Sequence, residues 1–333
     1  MGTPVSGTAD NAVMTRPSRA TTSGRAYLDL LARARQEGRP ADELLTLYVL
    51  ERFLYRVSVS AHRDHLVLKG GMLLSAFGQR RPTRDIDLLA KAAANDHDAV
   101  AALIRDIAGI DADDGVGYET TQLTTRTIRD QDLYAGVRVA VPARIDRARQ
   151  PLRIDVSVGD PVTPGPVIVS YPALLGEPFP LLAYPIEAVL AEKLVTIVAR
   201  GDTTTRDRDF ADILLLAGQY DIDAASLSDA IAATAAFRRV DLRPIRETLT
   251  TLGSDRNREW QRLITHAGLA ARLPADYGEA IRQVAAFGDP IITGTSISAR
   301  WEHRQTRWAG PRRRAAERRS AARGAASNRE IQR

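Results

Sequence analysis

Residues 66–89 read LVLKGGMLLSAFGQRRPTRDIDLL, and the order of elements in this stretch decides the fold. His65 to Lys69 has strand composition, Gly70-Gly71 is a sharp turn, Met72 to Phe77 suits a short helix closed by Gly78, and Arg84 to Ala90 reads as a second strand. Strand side chains alternate between faces, so Asp85 and Asp87 point one way while Ile86 and Leu88 point the other. Two strand rises set their Cα atoms roughly 6–7 Å apart. Carboxylates that close repel unless a cation lies between them. Hard oxygen ligands of this kind suit Mg²⁺ or Mn²⁺, which leave positions open for phosphate oxygens. The Gly-Gly turn lets a triphosphate approach the backbone, and the helix start beyond it offers N–H groups to phosphate.

Outward from this stretch the chain alternates types and then becomes helical. Residues 1–24 are rich in Gly, Thr, Ser, Pro and Ala and read as a disordered leader. Helices follow at Gly24–Gln36 and from Pro40-Ala41-Asp42, the second with Leu47, Leu50, Leu54 and Val57 on one face. Ala92 to Ile107 suits a helix. Tyr118–Ile128, Gly136–Val141, Leu152–Val158 and Val167–Tyr171 have strand character. The Pro-rich stretch Tyr171–Pro185 reads as the join between two halves. Beyond it, Pro185–Arg200, Arg206–Tyr220, Leu227–Thr234, Leu242–Leu252, Arg256–Thr265 and Tyr277–Ala286 read as helices. The expected organisation is α/β (α+β): an α/β domain over 25–175, a helical domain over 180–292 and a basic, disordered tail over 293–333.

Three further positions carry chemistry. In LRIDVSV (152–158), Asp155 lies on the polar face of a half-buried strand. A strand with one Asp beside a strand with two is a way to hold two metals for in-line phosphoryl or nucleotidyl transfer, and Asp155 could equally act as the general base. Only Lys69, Lys91 and Lys193 break an otherwise all-Arg use of basic residues, which directs attention to Lys69 and Lys193. Lys193 shares the apolar stripe Ile186, Val189, Leu190, Leu194, Ile197, so its ammonium needs an acceptor or a route to solvent. It either snorkels or enters a cleft that binds nucleotide phosphates. Asp209 and Asp212, three apart near a helix start, either complement the helix dipole or orient Lys193 or an acceptor. His62 and His65 have no other ligands nearby and read as surface residues.

The chain has 333 residues, 44% hydrophobic and 26% charged, a globular composition. Cys is absent, which excludes disulfides, thiolate metal sites and cysteine nucleophiles. No apolar run approaches the ~20 residues of a membrane helix, and Met1–Thr22 has no signal-peptide core, so a cytoplasmic protein is expected. The net charge of +5 is uneven: Arg300–Arg333 holds eleven Arg and three Glu, leaving the body acidic. Such a tail attracts polyanions, nucleic acid first, unless it is simply a solvated end.

Taken in order, LYVLERFLYR (47–56), LVLKGGMLL (66–74), RPTRDIDLL (81–89), AEKLVTIVARG (191–201) and RDFADI (208–213) resemble the AbiEii/AbiGii toxin family, which includes the MenT type of type IV toxin–antitoxin and phage-defence pairs. The resemblance spans roughly residues 25–290. It implies a DNA-polymerase-β-like nucleotidyltransferase domain with a mixed sheet, followed by a helical domain. It makes Asp85 and Asp87 the metal carboxylates, with Asp155 a less uniform third, and Lys193 the phosphate-contacting lysine. The nucleotide-binding set it implies is Lys69, Gly70, Gly71, Thr83, Arg84 and Lys193, with Asp209 or Asp212 as the late acidic residue. Gly70-Gly71 stands where the related fold usually carries Gly-Ser, so backbone N–H groups take over a hydroxyl contact. Similar members transfer NMP from an NTP to the tRNA 3′ end and are paired with an antitoxin. The competing expectations are a nucleotidyltransferase acting on a small molecule or protein, and a non-catalytic protein that binds nucleic acid or antitoxin.

Overall fold

Helix α1 (Thr22–Glu37) opens on the side chain of Thr21, which accepts from the Gly24 N–H, and stops at Gly38, whose φ of 63° is left-handed. Helix α2 (Ala41–Val59) follows. The computed structural model describes residues 16–91, 96–129 and 135–310. They divide into two compact units, one running to Gly159 with Ile168–Ala183 added, the other comprising Asp160–Val167 and the chain from Tyr184.

The first unit is built on a mixed sheet of eight strands. These are β1 (Leu66–Lys69), β2 (Ile86–Ala90), β3 (Val116–Tyr118), β4 (Thr124–Arg129), β5 (Ala135–Ile145), β6 (Ala148–Val158), β7 (Val167–Tyr171) and β8 (Phe179–Ala183). The order is β3-β5-β6-β2-β1-β8-β7, with β4 also on β5. The β1–β2 and β5–β6 pairs are antiparallel, and β2–β6 and β1–β8 are parallel. Between β1 and β2 run α3 (Gly70–Leu73) and a 3₁₀ turn (Leu74–Phe77), and α4 (His97–Ala108) follows β2. Helix α2 packs on β6 and β8, with α1 and α4 against it, which is why it is apolar on more than one side. Leu47, Leu50, Leu54 and Val57, the stripe expected from spacing, are all buried.

Two readings change here. Residues 179–183 were expected in the join between halves, but they form β8, which lies beside β1 inside the sheet. Pro180 hides the strand; its side chain is on the exposed face. The segment 118–128 is also not one strand, because the 3₁₀ turn Thr120–Gln122 separates β3 from β4, which take successive parts of β5's outer edge.

The second unit is helical: α5 (Ile186–Arg200), α6 (Asp207–Ala217), α7 (Ala224–Arg238), α8 (Ile245–Thr248), α9 (Leu252–Asp255), α10 (Asn257–His266) and α11 (Tyr277–Ile292). Helix α5 packs on α6 and α7, and α11 packs on α6 and α8. Gly288 lets α11 come close: a Cβ there would lie 2.9 Å from both Ile245 Cδ1 and Leu194 Cδ2. The expected helix 242–252 shortens to α8, with α9 starting separately at Leu252, because Asp202 takes the backbone N–H groups of Thr250, Thr251 and Leu252 away from a continuous ladder.

Part of the region expected to be a disordered tail, 293–333, is regular structure. Strands β9 (Ile222–Asp223), β10 (Arg300–Glu302) and β11 (Arg307–Ala309) form a small sheet. Trp301 and Trp308 pack on Phe287, and their indole N–H groups donate to the carbonyls of Ala217 and Phe287. Burial of two indoles outweighs the local excess of Arg. Residues 311–333, like most of the expected leader, lie outside the described residues. No described helix is long and apolar enough to cross a membrane.

Candidate active site

Strand register assembles a charged row across the first unit's sheet. Lys69 on β1 pairs with Asp87 on β2, Asp87 pairs with Asp155 on β6, Asp155 pairs with Arg138 on β5, and Arg138 pairs with Arg126 on β4. Directly paired residues share a face, so the five side chains emerge side by side. The residues before and after Asp87, Asp155 and Arg138 are Ile86, Leu88, Ile154, Val156, Val137 and Val139, all buried on the opposite face. That apolar face fixes the register, since a slip of one residue would put the charges into the core.

Asp85 lies one residue before β2 begins. Arg138 ties it to the row. The guanidinium donates from Nε to Asp155 Oδ1 at 2.5 Å and from Nη2 to Asp155 Oδ2. Those hydrogen bonds, together with the charges of Asp155, Asp85 and Asp87, hold Arg138 above the ordinary guanidinium range against the opposing effect of partial burial. The three carboxylates thus share one electrostatic neighbourhood.

The glycine turn is fitted to this row. Gly70 has φ +65°, and a Cβ there would fall 1.9 Å from Asp87 Oδ2. Only glycine allows the left-handed turn and the carboxylate to occupy the same place. A Cβ on Gly71 would lie 3.0 Å from the Thr83 methyl. Thr83 is buried and its hydroxyl donates to the Arg81 carbonyl, whereas Arg84 is exposed. Lys69, Gly70, Gly71, Thr83, Asp85, Asp87 and Asp155 therefore all lie at the β1–β2 turn or on the row beside it.

Asp155, the expected third metal carboxylate, lies in the row beside Asp87, and both its oxygens accept from Arg138. Among the described residues no group of three or more His, Asp or Glu is arranged to hold a metal ion. Asp85 and Asp87 are two hard oxygen donors, a set that fits a divalent cation completing its shell with phosphate oxygens and water. Arg138 is the site residue that sequence reasoning missed. It lies within the expected strand Gly136–Val141, but only the β5–β6 register shows what it faces.

Lys193, Asp209 and Asp212 belong to the second unit, where they form a cluster of their own. Lys193 Nζ donates to Asp209 Oδ1 at 2.6 Å and to Asp212 Oδ2 at 2.8 Å. All three are largely buried, with Asp212 1% exposed. The ammonium on the apolar stripe of α5 thus has acceptors on α6, the alternative in which an Asp orients the lysine. Arg206 Nη1 approaches Asp209 at 3.9 Å.

The family model described as nucleotidyl transferase AbiEii toxin, type IV toxin–antitoxin system, matches residues 52–286. MenT4, a nucleotidyltransferase toxin of Mycobacterium tuberculosis, is 16% identical with a TM-score of 0.46, over 82% of this chain and 98% of that one. JHP933 of Helicobacter pylori is 16% identical with a TM-score of 0.43, over 76% and 92%. No curated protein matches the sequence significantly. The chain belongs to the AbiEii nucleotidyltransferase toxin family of type IV toxin–antitoxin systems.

Proposed function

We propose that this toxin is a metal-dependent nucleotidyltransferase that moves NMP from an NTP onto RNA, at the tRNA 3′ end, and that its antitoxin partner relieves the resulting block. The observation that carries this reading is the in-register placement of Asp87 beside Asp155, with Gly70 pressed against Asp87. It supports a site where a polyphosphate lies along the backbone of the Gly70-Gly71 turn, next to an acidic pair. Asp85 and Asp87 would hold a divalent cation. Such an ion, when bound, supplies charge neutralisation at the phosphates and activation of the acceptor hydroxyl.

This chain's own residues do the positioning. Gly70 and Gly71 keep the turn clear of side chains where phosphate must approach. Lys69 extends the row on the far side of Asp87. Asp155 and Arg138 hold each other, so that one fixed cation faces the acidic pair. The reaction joins the acceptor hydroxyl oxygen to the α-phosphorus, breaks the bond to pyrophosphate and passes the hydroxyl proton to solvent.

The test is incubation of purified protein with each radiolabelled NTP, Mg²⁺ and total tRNA. Label on RNA is expected, lost in Asp87→Ala while the variant keeps its far-UV spectrum. No label with any NTP, while a known tRNA nucleotidyltransferase works in the same tube, overturns the reading. Label on protein or a small molecule moves the acceptor elsewhere.

A further inference from the structure

We propose that the open face of β5 and β6, extended by β4, is the surface on which the acceptor RNA lays its phosphodiester backbone, and that Arg126, Arg144, Arg149 and Arg153 are its phosphate contacts. The proposal rests on the reading that the acceptor is RNA, and it assigns the contact to the sheet rather than to the basic tail.

Alternation on both strands is regular. Leu152, Ile154, Val156, Val139, Val141 and Ile145 are buried on one face. The other face carries Arg149, Arg153 and Asp155 on β6 and Arg138 and Arg144 on β5, with Arg126 beside them on β4. The α-helices that pack on β5 and β6, namely α1, α2 and α4, lie on the apolar side. Arg126, Arg144, Arg149 and Arg153 are all exposed. None of the four has a carboxylate partner among the described residues, whereas Arg39, Arg56, Arg80, Arg238 and Arg256 all do. In a body that is acidic outside its tail, four guanidinium groups on one sheet face with no carboxylate partner among the described residues are a concentrated positive field.

Two register pairs sharpen the point. Arg144 stands directly opposite Arg149, and Arg126 directly opposite Arg138. Asp155 already meets the charge of Arg138, but Arg144 and Arg149 are like charges placed opposite one another, which costs stability, and an anion lying between them removes that cost. Between the two Arg pairs the floor is small and apolar: Ala140 faces Arg153, and Pro142 faces Pro151. A groove of about 490 Å³ opens there, lined by Arg149, Pro142, Pro151, Thr124, Gln122 and Glu119. Its one carboxylate, Glu119, is already bonded to Gln122 Nε2 at 2.7 Å. Flat proline rings beside Arg149 suit a sugar–phosphate chain, since bases and riboses can rest on the floor while a phosphate meets the guanidinium group.

The length fits as well. Six strand rises separate Arg149 from Asp155, about 20 Å, which matches about six nucleotides of a stacked strand. A single-stranded 3′ end lying along β6 would therefore deliver its terminal hydroxyl to the acidic row.

The experiment measures binding apart from transfer. Affinity of the full chain for total tRNA is titrated against salt for the wild type, for Arg144→Gln/Arg149→Gln, and for a control of equal charge, Arg63→Gln/Arg105→Gln, at exposed positions away from this face. The double substitution on the sheet should weaken binding on the order of tenfold and lower the slope of log affinity against log salt by about 1.4, while the control changes neither. Arg→Gln at solvent-facing strand positions keeps the fold, which the thermal midpoint checks. An unchanged slope overturns the proposal, and so does a loss matched by the control. Equal weakening toward polyglutamate and tRNA also overturns it, and assigns the face to an acidic protein. If the sheet variant loses the slope but the wild type never labels RNA, the binding surface stands and the reading of the acceptor falls.

Discussion

Arg138 and Asp155 face each other across the β5–β6 ladder, and the guanidinium takes both oxygens of the carboxylate. This clasp gives Asp155 a role to test beside that of metal ligand, which is to position the Arg138 guanidinium. If Asp155 acts by positioning Arg138, Asp155→Asn and Arg138→Gln should each lower transfer by a similar factor, and the double variant should be no worse than either single one. Both side chains are less than one-third exposed, so each single change should also cost about 1–2 kcal/mol, with part of that recovered as coupling in the double-mutant cycle. Additive losses in rate, or a transfer defect confined to Asp155→Asn, would return Asp155 to direct work on the metal.

Gly70→Ala tests how closely the turn and the carboxylate are fitted. The substitution places a methyl 1.9 Å from Asp87 Oδ2 at a φ of +65°. The left-handed conformation alone costs about 1–2 kcal/mol for an L-residue, and Asp87 must also move. Transfer should fall at least a hundredfold while the protein remains folded in the cold, and Gly38→Ala, also left-handed but with open space around it, should lose stability without losing activity. Equal activity of the two variants would show that the approach to Asp87 has no catalytic consequence.

The acidic pair and its turn were legible because they are local: strand alternation and a Gly-Gly break say where Asp85, Asp87 and Gly70 must lie relative to one another. The alternating run 152–158 likewise announced the face on which Asp155 sits. What remained hidden was set by register. Nothing within Gly136–Val141 tells that Arg138 will meet Asp155, because the pairing of two strands is decided by their shared apolar face and by the turn between them. Strand β8 was concealed by proline, which in an internal strand must forgo a ladder bond and normally argues against the assignment. Trp301 and Trp308 were lost among arginines, although indoles at that spacing are a stronger structural signal than the charge around them.

Lys193 stands on the apolar stripe of α5, and its acceptors on α6 make a stability prediction. Removing the ammonium by Lys193→Ala leaves Asp209 and Asp212 largely buried and facing one another. Breaking a buried pair by removing one partner typically costs about 3–5 kcal/mol, and the value here should sit near the lower end because Arg206 approaches Asp209 from the other side. A urea titration of the full chain reads the loss as a lower midpoint. An unchanged midpoint would mean that the cluster contributes nothing to the helical unit, and that any defect of the variant in transfer comes from the lost charge alone.

Asp202 gives the helical unit a sensitivity to acid whose direction follows from its partners. Its carboxylate accepts the Thr250 hydroxyl at 2.7 Å and the backbone N–H groups of Thr250, Thr251 and Leu252 at 2.9–3.1 Å. The Thr250 hydroxyl bond first, and then the backbone donors, hold this carboxyl below its ordinary value of 3.8. The folded state therefore binds the proton less readily than the unfolded chain. Its contribution to stability is present above the ordinary aspartate value and is lost as pH falls through the depressed one. Asp202→Asn keeps one acceptor oxygen and no charge, so its urea midpoint should lie below that of the wild type at about pH 7. The gap should narrow as the wild type protonates, on the acid side of 3.8. A gap that stays constant down to about pH 2 would show that Asp202 works through the shape of its turn, and that its charge has no part in holding α8 apart from α9.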